Sequence, residues 1–178
     1  MFDVDGFVAD CRTSLTESHP ALAVKELLGR AVAEPGAVAT ALRAEPGVVV
    51  LHRSPELTLL SVVIAAGLPP TLPHDHRMWA VVGIYGGQED NQFFRRTDGA
   101  LVDSGGRSLG ASDTLAMGDD MIHAIHNPLQ HSALAAIHVY GGDLIAAERS
   151  MWTRPDFDEQ PYDDTKVLSG GGIRDPRA

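Results

Sequence analysis

Two histidines separated by one residue, His74 and His76, are the residues of this chain whose type and spacing most clearly point to chemistry. If this segment is extended, side chains at positions i and i+2 share a face, so both imidazoles point to one side and Asp75 points to the other. Neutral imidazole is a common metal ligand in proteins. The motif therefore predicts two ligands for one divalent metal ion.

A third ligand must come from elsewhere in the chain. Six of the eight histidines lie between positions 74 and 138. The candidates in the second half are His123, His126, His131 and His138. Each ligand also needs an acceptor for its other ring nitrogen, and Asp75 or backbone carbonyls could supply it. The alternative is that these are hydrogen-bonded core histidines, which are more common than ligands.

The composition predicts one globular domain. The chain has 178 residues, of which 44% are hydrophobic and 21% charged, and this is ordinary globular usage. A formal net charge of −10 argues against a nucleic-acid partner. No apolar run reaches the roughly 18 residues that span a bilayer, and residues 1–5 lack the basic start of a signal peptide. We therefore expect a cytoplasmic protein with no membrane partner.

The pattern of elements divides the chain into three parts. The pattern over residues 1–45 predicts helices. One has Ser18 as its N-cap and Pro20 in its first turn, and a shorter one covers residues 37–43. The β-type runs that follow cover residues 48–52, 57–66, 79–85, 92–95 and 133–140. Residues 46–153 are therefore predicted to form a sandwich or jelly-roll barrel on which the helices pack. Residues 154–178 form an extension, predicted to be flexible over 169–172.

The two histidine segments resemble the two motifs of the cupin superfamily over about residues 48–142. His74 and His76 match the H-x-H of the first motif. His123 is followed by three residues and Asn127, as is the last histidine of the second motif. The resemblance implies a mainly β fold, a double-stranded β-helix with N-terminal helices, and it selects His74, His76 and His123 as metal ligands.

One position of the first motif differs from the cupin pattern. Gly87 is present, but Val81 stands where the pattern has a glutamate ligand. A three-histidine site without a carboxylate resembles the thiol dioxygenases, which include cysteine dioxygenase and 3-mercaptopropionate dioxygenase. Some of these enzymes carry a cysteine near the metal that crosslinks to a tyrosine. The matching place is again about Val81, and Cys11 lies in the helical part, so no crosslink is expected.

A further segment is similar to the same enzymes. They carry a Ser-x-His-x-Tyr strand before a Gly-Gly-Asp turn, and this chain has Ala136, His138 and Tyr140 at those positions. The resemblance implies catalytic roles for His138 and Tyr140, which share a face because they are two residues apart. The alternative is a buried hydrogen-bonded pair far from the metal. Ala136 removes the serine hydroxyl that would bind His138.

Thiol dioxygenases that act on carboxylated thiols bind the carboxylate with an arginine or a glutamine. Arg53 is the first candidate for this role and Arg77, beside the H-x-H motif, is the second. A regular strand would turn Arg77 away from the metal, whereas a bend after His76 could turn it inward. Arg53 could equally be a solvated residue at the edge of the sheet.

The resemblance implies a mononuclear non-haem iron enzyme that oxidises a small, carboxylated thiol to its sulfinate with O2. Fe(II) is the expected cofactor, with zinc, nickel and manganese as alternatives. The expected partners are the thiol and O2, in a monomer or homodimer. Two other functions remain open: a metal-dependent cupin enzyme acting on a non-thiol substrate, and a non-catalytic cupin that binds a metal or a ligand.

Overall fold

A computed structural model describes residues 2–168 and 171–176. Part of the stretch predicted to be flexible, residues 169 and 170, therefore lies outside the described residues. The helices are α1 Val4–Ser14, α2 Pro20–Val32, α3 Pro35–Leu42 and α4 Asp164–Val167. The strands are β1 Gly47–Arg53, β2 Thr58–Ile64, β3 His74–Asp75, β4 Ala80–Gly86, β5 Gln88–Thr97, β6 Ala100–Gly110, β7 Thr114–Met117, β8 Ile122–His126, β9 Leu134–Tyr140, β10 Ser150–Thr153, β11 Asp158–Pro161 and β12 Ile173–Arg174.

The described strands form two six-stranded sheets. The first sheet has the order β12-β1-β2-β9-β4-β7, and the second has the order β11-β10-β3-β8-β5-β6. From β2 to β10 the chain passes repeatedly between the two sheets, and it forms antiparallel pairs within each. This is the topology of a double-stranded β-helix. The predicted fold class, mainly β with N-terminal helices, is confirmed.

The central strands of the first sheet are buried on both faces, and their sequences show why. Strands β2 and β4 are buried at every residue except the last, without the alternation of a half-exposed strand. Their inward side chains, such as Leu60 and Val82, join the cluster between the sheets. Their outward side chains, such as Leu59 and Val81, join a second cluster with the helices. The helices are thus the outer wall of the first sheet.

Close contact between α2 and β4 depends on a glycine. A Cβ atom at Gly83 would lie 2.6 Å from Cγ of Leu28, which is fully buried on α2. With any larger residue at position 83, either Leu28 or helix α2 must shift. This glycine therefore allows the helix to pack closely on the barrel.

The starts of two helices differ from the prediction. Helix α2 begins at Pro20 with His19, not Ser18, at the N-cap, and no side chain caps its first turn. Pro20 occupies the first helical position, where its missing N–H removes no hydrogen bond. The shorter helix begins at Pro35, two residues before the predicted start, for the same reason. Among the described helices, none combines the length and the apolar character that are needed to cross a membrane.

The five predicted β-type runs correspond to β1, β2, β4, β5 and β9. The long polar hairpin of β5 and β6 extends well beyond the predicted run at 92–95. The described part of residues 154–178 adds β11 to the second sheet and β12 to the first. These two strands were not predicted. Their residues are mostly polar and pair through the backbone, so the sequence shows no alternation of apolar and polar residues there.

Candidate metal centre

Strand pairing in the second sheet brings three histidines together. Strands β3 and β8 are antiparallel, and His74 lies directly opposite His123. His76 follows β3 by one residue, on the same face as His74. One ligand atom from each of the three histidines lies within 4.8 Å of the others, and all three side chains are buried. This group could hold one metal ion.

Hydrogen bonds fix the tautomer of two of these imidazoles. Nδ1 of His74 lies 2.9 Å from the carbonyl oxygen of Leu72. Because a carbonyl oxygen can only accept, Nδ1 must carry the hydrogen and the lone pair is on Nε2. Nδ1 of His123 lies 2.8 Å from Oδ1 of Asn91, which places the lone pair of His123 on Nε2 as well. The acceptors are thus a backbone carbonyl and an asparagine.

Asp75 has other partners and accepts no bond from these rings. Its Oδ1 accepts a hydrogen bond from the backbone N–H of Ser150 at 2.7 Å. Its Oδ2 lies 2.7 Å from Nε of Arg77. Asp75 points to the opposite face of the strand and does not orient a ligand. Of the two acceptors that the sequence analysis named, a backbone carbonyl, that of Leu72, binds His74.

The distance between two of the candidate ligand atoms fits a shared ion. Nε2 of His76 lies 3.1 Å from Nε2 of His123. Two nitrogens that each lie roughly 2.0–2.1 Å from one metal ion stand about 2.8–3.4 Å apart, for bond angles between a right angle and the tetrahedral angle. The pair is therefore set at a separation that one ion can bridge.

The imidazoles are held in the neutral form that binds metal. Burial lowers the pKa of His74 to about 4, against the opposing effect of its bond to the Leu72 carbonyl. Burial also lowers the pKa of His76 and of His123 well below the ordinary value, and the neighbouring histidines add to the effect. Because the uncharged ring offers a lone pair, all three are ready to coordinate at neutral pH.

His138 and Tyr140 adjoin the three histidines on the inner face of β9. The Tyr140 ring lies 5.0 Å from the His76 ring, measured between centroids, in an edge arrangement. Nδ1 of His138 lies 3.1 Å from the Tyr140 hydroxyl oxygen. Burial raises the pKa of Tyr140, so its hydroxyl stays protonated. The pair predicted from sequence thus lies beside the candidate metal position.

Two further polar residues of the site were not predicted. Glu89 and Asn91 are buried on β5, and both belong to a polar run that was interpreted as lying before the strand. Nδ2 of Asn91 donates to Oε1 of Glu89 at 2.9 Å, and Oε2 of Glu89 lies 3.2 Å from Nε2 of His138. The only signal in the sequence is the spacing of two between a carboxylate and an amide.

The remaining histidine candidates lie away from the group. His126 is the last residue of β8 and is partly exposed, opposite Asp90 of β5. His131 is exposed in the following loop. The structure therefore brings His123, and not His126 or His131, to His74 and His76.

A small cavity of about 30 Å³ lies among these side chains. Its lining includes His74, His76, His123, His138, Tyr140, Arg149 and Tyr162. Arg149 is a buried arginine that the sequence analysis did not single out. It comes just before β10, which pairs with β3, and this pairing places it over the histidines. Nothing in the local sequence distinguishes it from an exposed arginine.

The two predicted substrate-binding arginines lie elsewhere. Arg53 ends β1, is 37% exposed and pairs with Asp143 at 2.9 Å. Arg77 is 48% exposed, although its φ of 59° bends the chain directly after His76. Neither is among the described residues that line the cavity, whereas Arg149 is. The chain does bend after His76, but the bend leaves Arg77 at the surface, paired with Asp75.

Cys11 is far from this chemistry. It is fully buried in the cluster between the helices and the first sheet. Burial raises its pKa to about 12, with a smaller effect from Asp10. The thiol is therefore a packed apolar group that stays protonated.

No family model matches the chain. Among solved structures, a DMSP lyase, DddQ, from Ruegeria pomeroyi is similar over 53% of this chain and 42% of its own, with a TM-score of 0.41 and 22% identity. Oxalate decarboxylase from Bacillus subtilis is similar over 51% of this chain and 22% of its own, with a TM-score of 0.42 and 18% identity. An RmlC-like cupin family protein with a double-stranded β-helix fold, from Methanocaldococcus jannaschii, covers 56% of this chain and 83% of its own, with a TM-score of 0.45 and 13% identity. The matched part of this chain thus spans less than half the length of the first two proteins.

Proposed function

We propose that this protein is a mononuclear non-haem iron dioxygenase of the cupin type, which oxidises a small carboxylated thiol to its sulfinate. The observation that carries the proposal is the convergence of three neutral imidazoles, with no carboxylate ligand, in a cavity that also contains Tyr140 and Arg149. The reaction balances without a reductant, because both atoms of O2 are added to the sulfur of the thiolate.

A metal held by His74, His76 and His123 fits the donor set. Three uncharged ligands leave the charge of a ferrous ion uncompensated and leave coordination positions open. When bound, such an ion would lower the pKa of the substrate thiol and supply the redox chemistry with O2. Zinc, nickel and manganese are the alternative metals, because imidazole is a ligand for many divalent ions.

Arg149 is the group best suited to the substrate carboxylate. A guanidinium binds a carboxylate through two parallel N–H donors, and Nε of Arg149 already donates to the Leu144 carbonyl at 3.2 Å. This bond fixes the Nε edge of the guanidinium, whose terminal nitrogens would bind the substrate carboxylate. The cavity is otherwise lined by apolar side chains such as Leu60 and Val62, which exclude water from the reacting groups.

Tyr140 lies beside the histidines and would contact a substrate bound to the metal. Its ring packs against His76, and its hydroxyl is held by His138. A hydroxyl fixed in this way can orient the substrate through a hydrogen bond while the arginine holds the other end. Tyr140 and Arg149 thus define two points of attachment in addition to the metal.

The test is oxygen consumption by protein reconstituted with iron under anaerobic conditions. Four thiols are compared: 3-mercaptopropionate, cysteine, cysteamine and mercaptosuccinate. We expect stoichiometric uptake with at least one carboxylated thiol, a sulfinate product by mass spectrometry, and no uptake by a His123→Ala variant. An absence of uptake with all four thiols at full iron occupancy contradicts the proposal.

A second candidate function is a metal-dependent enzyme that acts on a carboxylated substrate without a thiol. Arg149 and a metal would recognise any small carboxylate with a second donor, and sulfur is not required. Ala136, in place of the serine of the thiol dioxygenases, also favours this alternative. Tight metal binding without thiol oxidation would support it, and also the non-catalytic alternative.

A further inference from the structure

Glu89 is a buried carboxylate between two parts of the site. Its side chain is fully buried, and each of its oxygens has a different partner. Oε1 accepts from the amide of Asn91 at 2.9 Å, and Oε2 lies 3.2 Å from Nε2 of His138. A buried carboxylate is costly unless such bonds compensate it, so its presence at this point calls for a role.

On one side, Glu89 determines which atom of Asn91 faces the metal ligand. A carboxylate oxygen only accepts, so the amide must present its NH₂ group to Glu89 and its oxygen to His123. The Asn91 oxygen then accepts from Nδ1 of His123, at 2.8 Å. This leaves the lone pair of His123 on Nε2, 3.1 Å from Nε2 of His76.

On the other side, Glu89 determines the tautomer of His138. Because the carboxylate accepts, Nε2 of His138 carries a hydrogen, and in the neutral imidazole Nδ1 then carries the lone pair. Nδ1 can then only accept from the hydroxyl of Tyr140, 3.1 Å away. The single hydrogen of Tyr140 points to His138, and the lone pairs of its oxygen are left for the cavity that Tyr140 lines.

We propose that Glu89 is a positioning residue that sets the direction of the hydrogen bonds from the candidate metal ligand His123 to the hydroxyl of Tyr140. Ala136 has no hydroxyl to bind His138, and in this chain Glu89 is the hydrogen-bond partner of that histidine instead. As a result, Tyr140 acts toward a bound substrate as a hydrogen-bond acceptor. The assignment of bond directions stands on the geometry alone, whereas its consequence for turnover rests on the proposed function.

The substitution Glu89→Gln is expected to reverse the hydrogen bonds toward His138 and Tyr140 and to preserve those toward Asn91 and His123. The oxygen of the new amide can still accept from Asn91, so the side toward His123 is preserved. The NH₂ group of the same amide would then face Nε2 of His138 and donate to it. This moves the ring hydrogen of His138 to Nδ1 and makes Tyr140 the acceptor of that bond. The variant Asp90→Asn is the matched control, because it removes the same charge from the next residue of β5, which points to the opposite face.

The experiment is ¹⁵N NMR of the imidazole rings in protein loaded with Zn(II), a diamagnetic ion, and needs no substrate. In the native protein we expect His138 to be protonated on Nε2 and His123 on Nδ1. In Glu89→Gln we expect His138 to be protonated on Nδ1, with zinc affinity within a fewfold of native. In Asp90→Asn and in Tyr140→Phe the native tautomer of His138 should persist, because the carboxylate remains in place.

The proposal is overturned if His138 of the native protein is protonated on Nδ1, or if Glu89→Gln folds and leaves the tautomer unchanged. The native spectrum decides the point even if the variant does not fold. If the iron-loaded protein oxidises a thiol, we further expect Glu89→Gln to lower kcat by about 10–100-fold, the range for residues that orient ligands and catalytic groups. If the native protein oxidises no thiol, the proposed function fails while the tautomer result still decides the role of Glu89.

Discussion

The guanidinium of Arg149 lies 3.4 Å from the centre of the Tyr162 ring, measured from Cζ. Both residues line the small cavity at the histidines and also an outer cleft of about 1020 Å³. The Tyr162 ring also lies 5.8 Å from the His74 ring. The small cavity, of about 30 Å³, is too small for a carboxylated thiol, so we expect side chains that line it, such as Arg149 and Tyr162, to move when a substrate binds.

The position of Arg149 predicts selectivity for carboxylated thiols. We expect Arg149→Met to raise KM for 3-mercaptopropionate by at least tenfold and to leave KM for cysteamine, which has no carboxylate, within about twofold; one charge-assisted bond is worth about 1.5–3 kcal/mol. Steady-state oxygen uptake with both thiols measures the difference. Arg53→Ala is the control, because Arg53 is paired with Asp143 outside the cavity. Equal losses with both thiols would contradict a carboxylate role for Arg149, and a selective loss in Arg53→Ala would return that role to Arg53.

Strand β8 carries two histidines, and only His123 is expected to bind the metal, whereas His126 is not. We expect His123→Ala to lose most of its bound metal, because one of three converging nitrogens is removed. His126→Ala should retain native metal content, since this side chain is partly exposed at the end of the strand. Metal content after dialysis against a weak chelator, measured by mass spectrometry, compares the two. A greater loss in His126→Ala would refute the ligand assignment.

Asn91 should contribute to metal affinity without touching the ion. Its oxygen accepts from Nδ1 of His123, and loss of such a partner typically costs 10–100-fold in affinity. We therefore expect Asn91→Ala to bind Zn(II) about 10–100-fold more weakly in a competition titration. The neighbouring Gln92→Ala is the control, because Gln92 points outward and bonds to Asp103 at the surface. If the two variants bind Zn(II) with the same affinity, Asn91 does not contribute to metal binding.

The buried imidazoles make the stability of the metal-free protein depend on pH. The pKa of His74 falls from the ordinary 6.5 to about 4 in the folded chain, so between these values the unfolded chain binds more protons. Stability is therefore full above about pH 6.5 and declines as the pH falls toward 4, by on the order of 3 kcal/mol from this group. His76 and His123 act in the same direction.

Urea unfolding at pH 7.5, 6 and 5 measures this dependence. His74→Leu should show a smaller loss of stability than the native protein over the same range, because it cannot gain a proton on unfolding. His19→Leu is the control, since this residue lies at the start of α2, away from the site. A native stability that is flat between pH 7.5 and 5 would contradict the assignment of neutral, buried histidines.

The sequence determined those parts of the site that depend on local geometry. His74 and His76, and likewise His138 and Tyr140, are two residues apart, and the alternation of a strand places each pair on one face whatever the rest of the fold does. The apolar runs of β1, β2, β4 and β9 similarly identify strands buried by hydrophobic side chains. The choice of His123 over His126 came from a motif resemblance, not from local geometry.

The tertiary structure decided the residues that act across strands. Glu89 and Asn91 belong to a polar run, and only the pairing of β5 with β8 turns them inward beside His123. Arg149 reaches the histidines because β10 pairs with β3, a contact between segments about 75 residues apart in the chain. A buried polar residue carries no hydrophobic signature, and its position depends on strand register, which distant partners set.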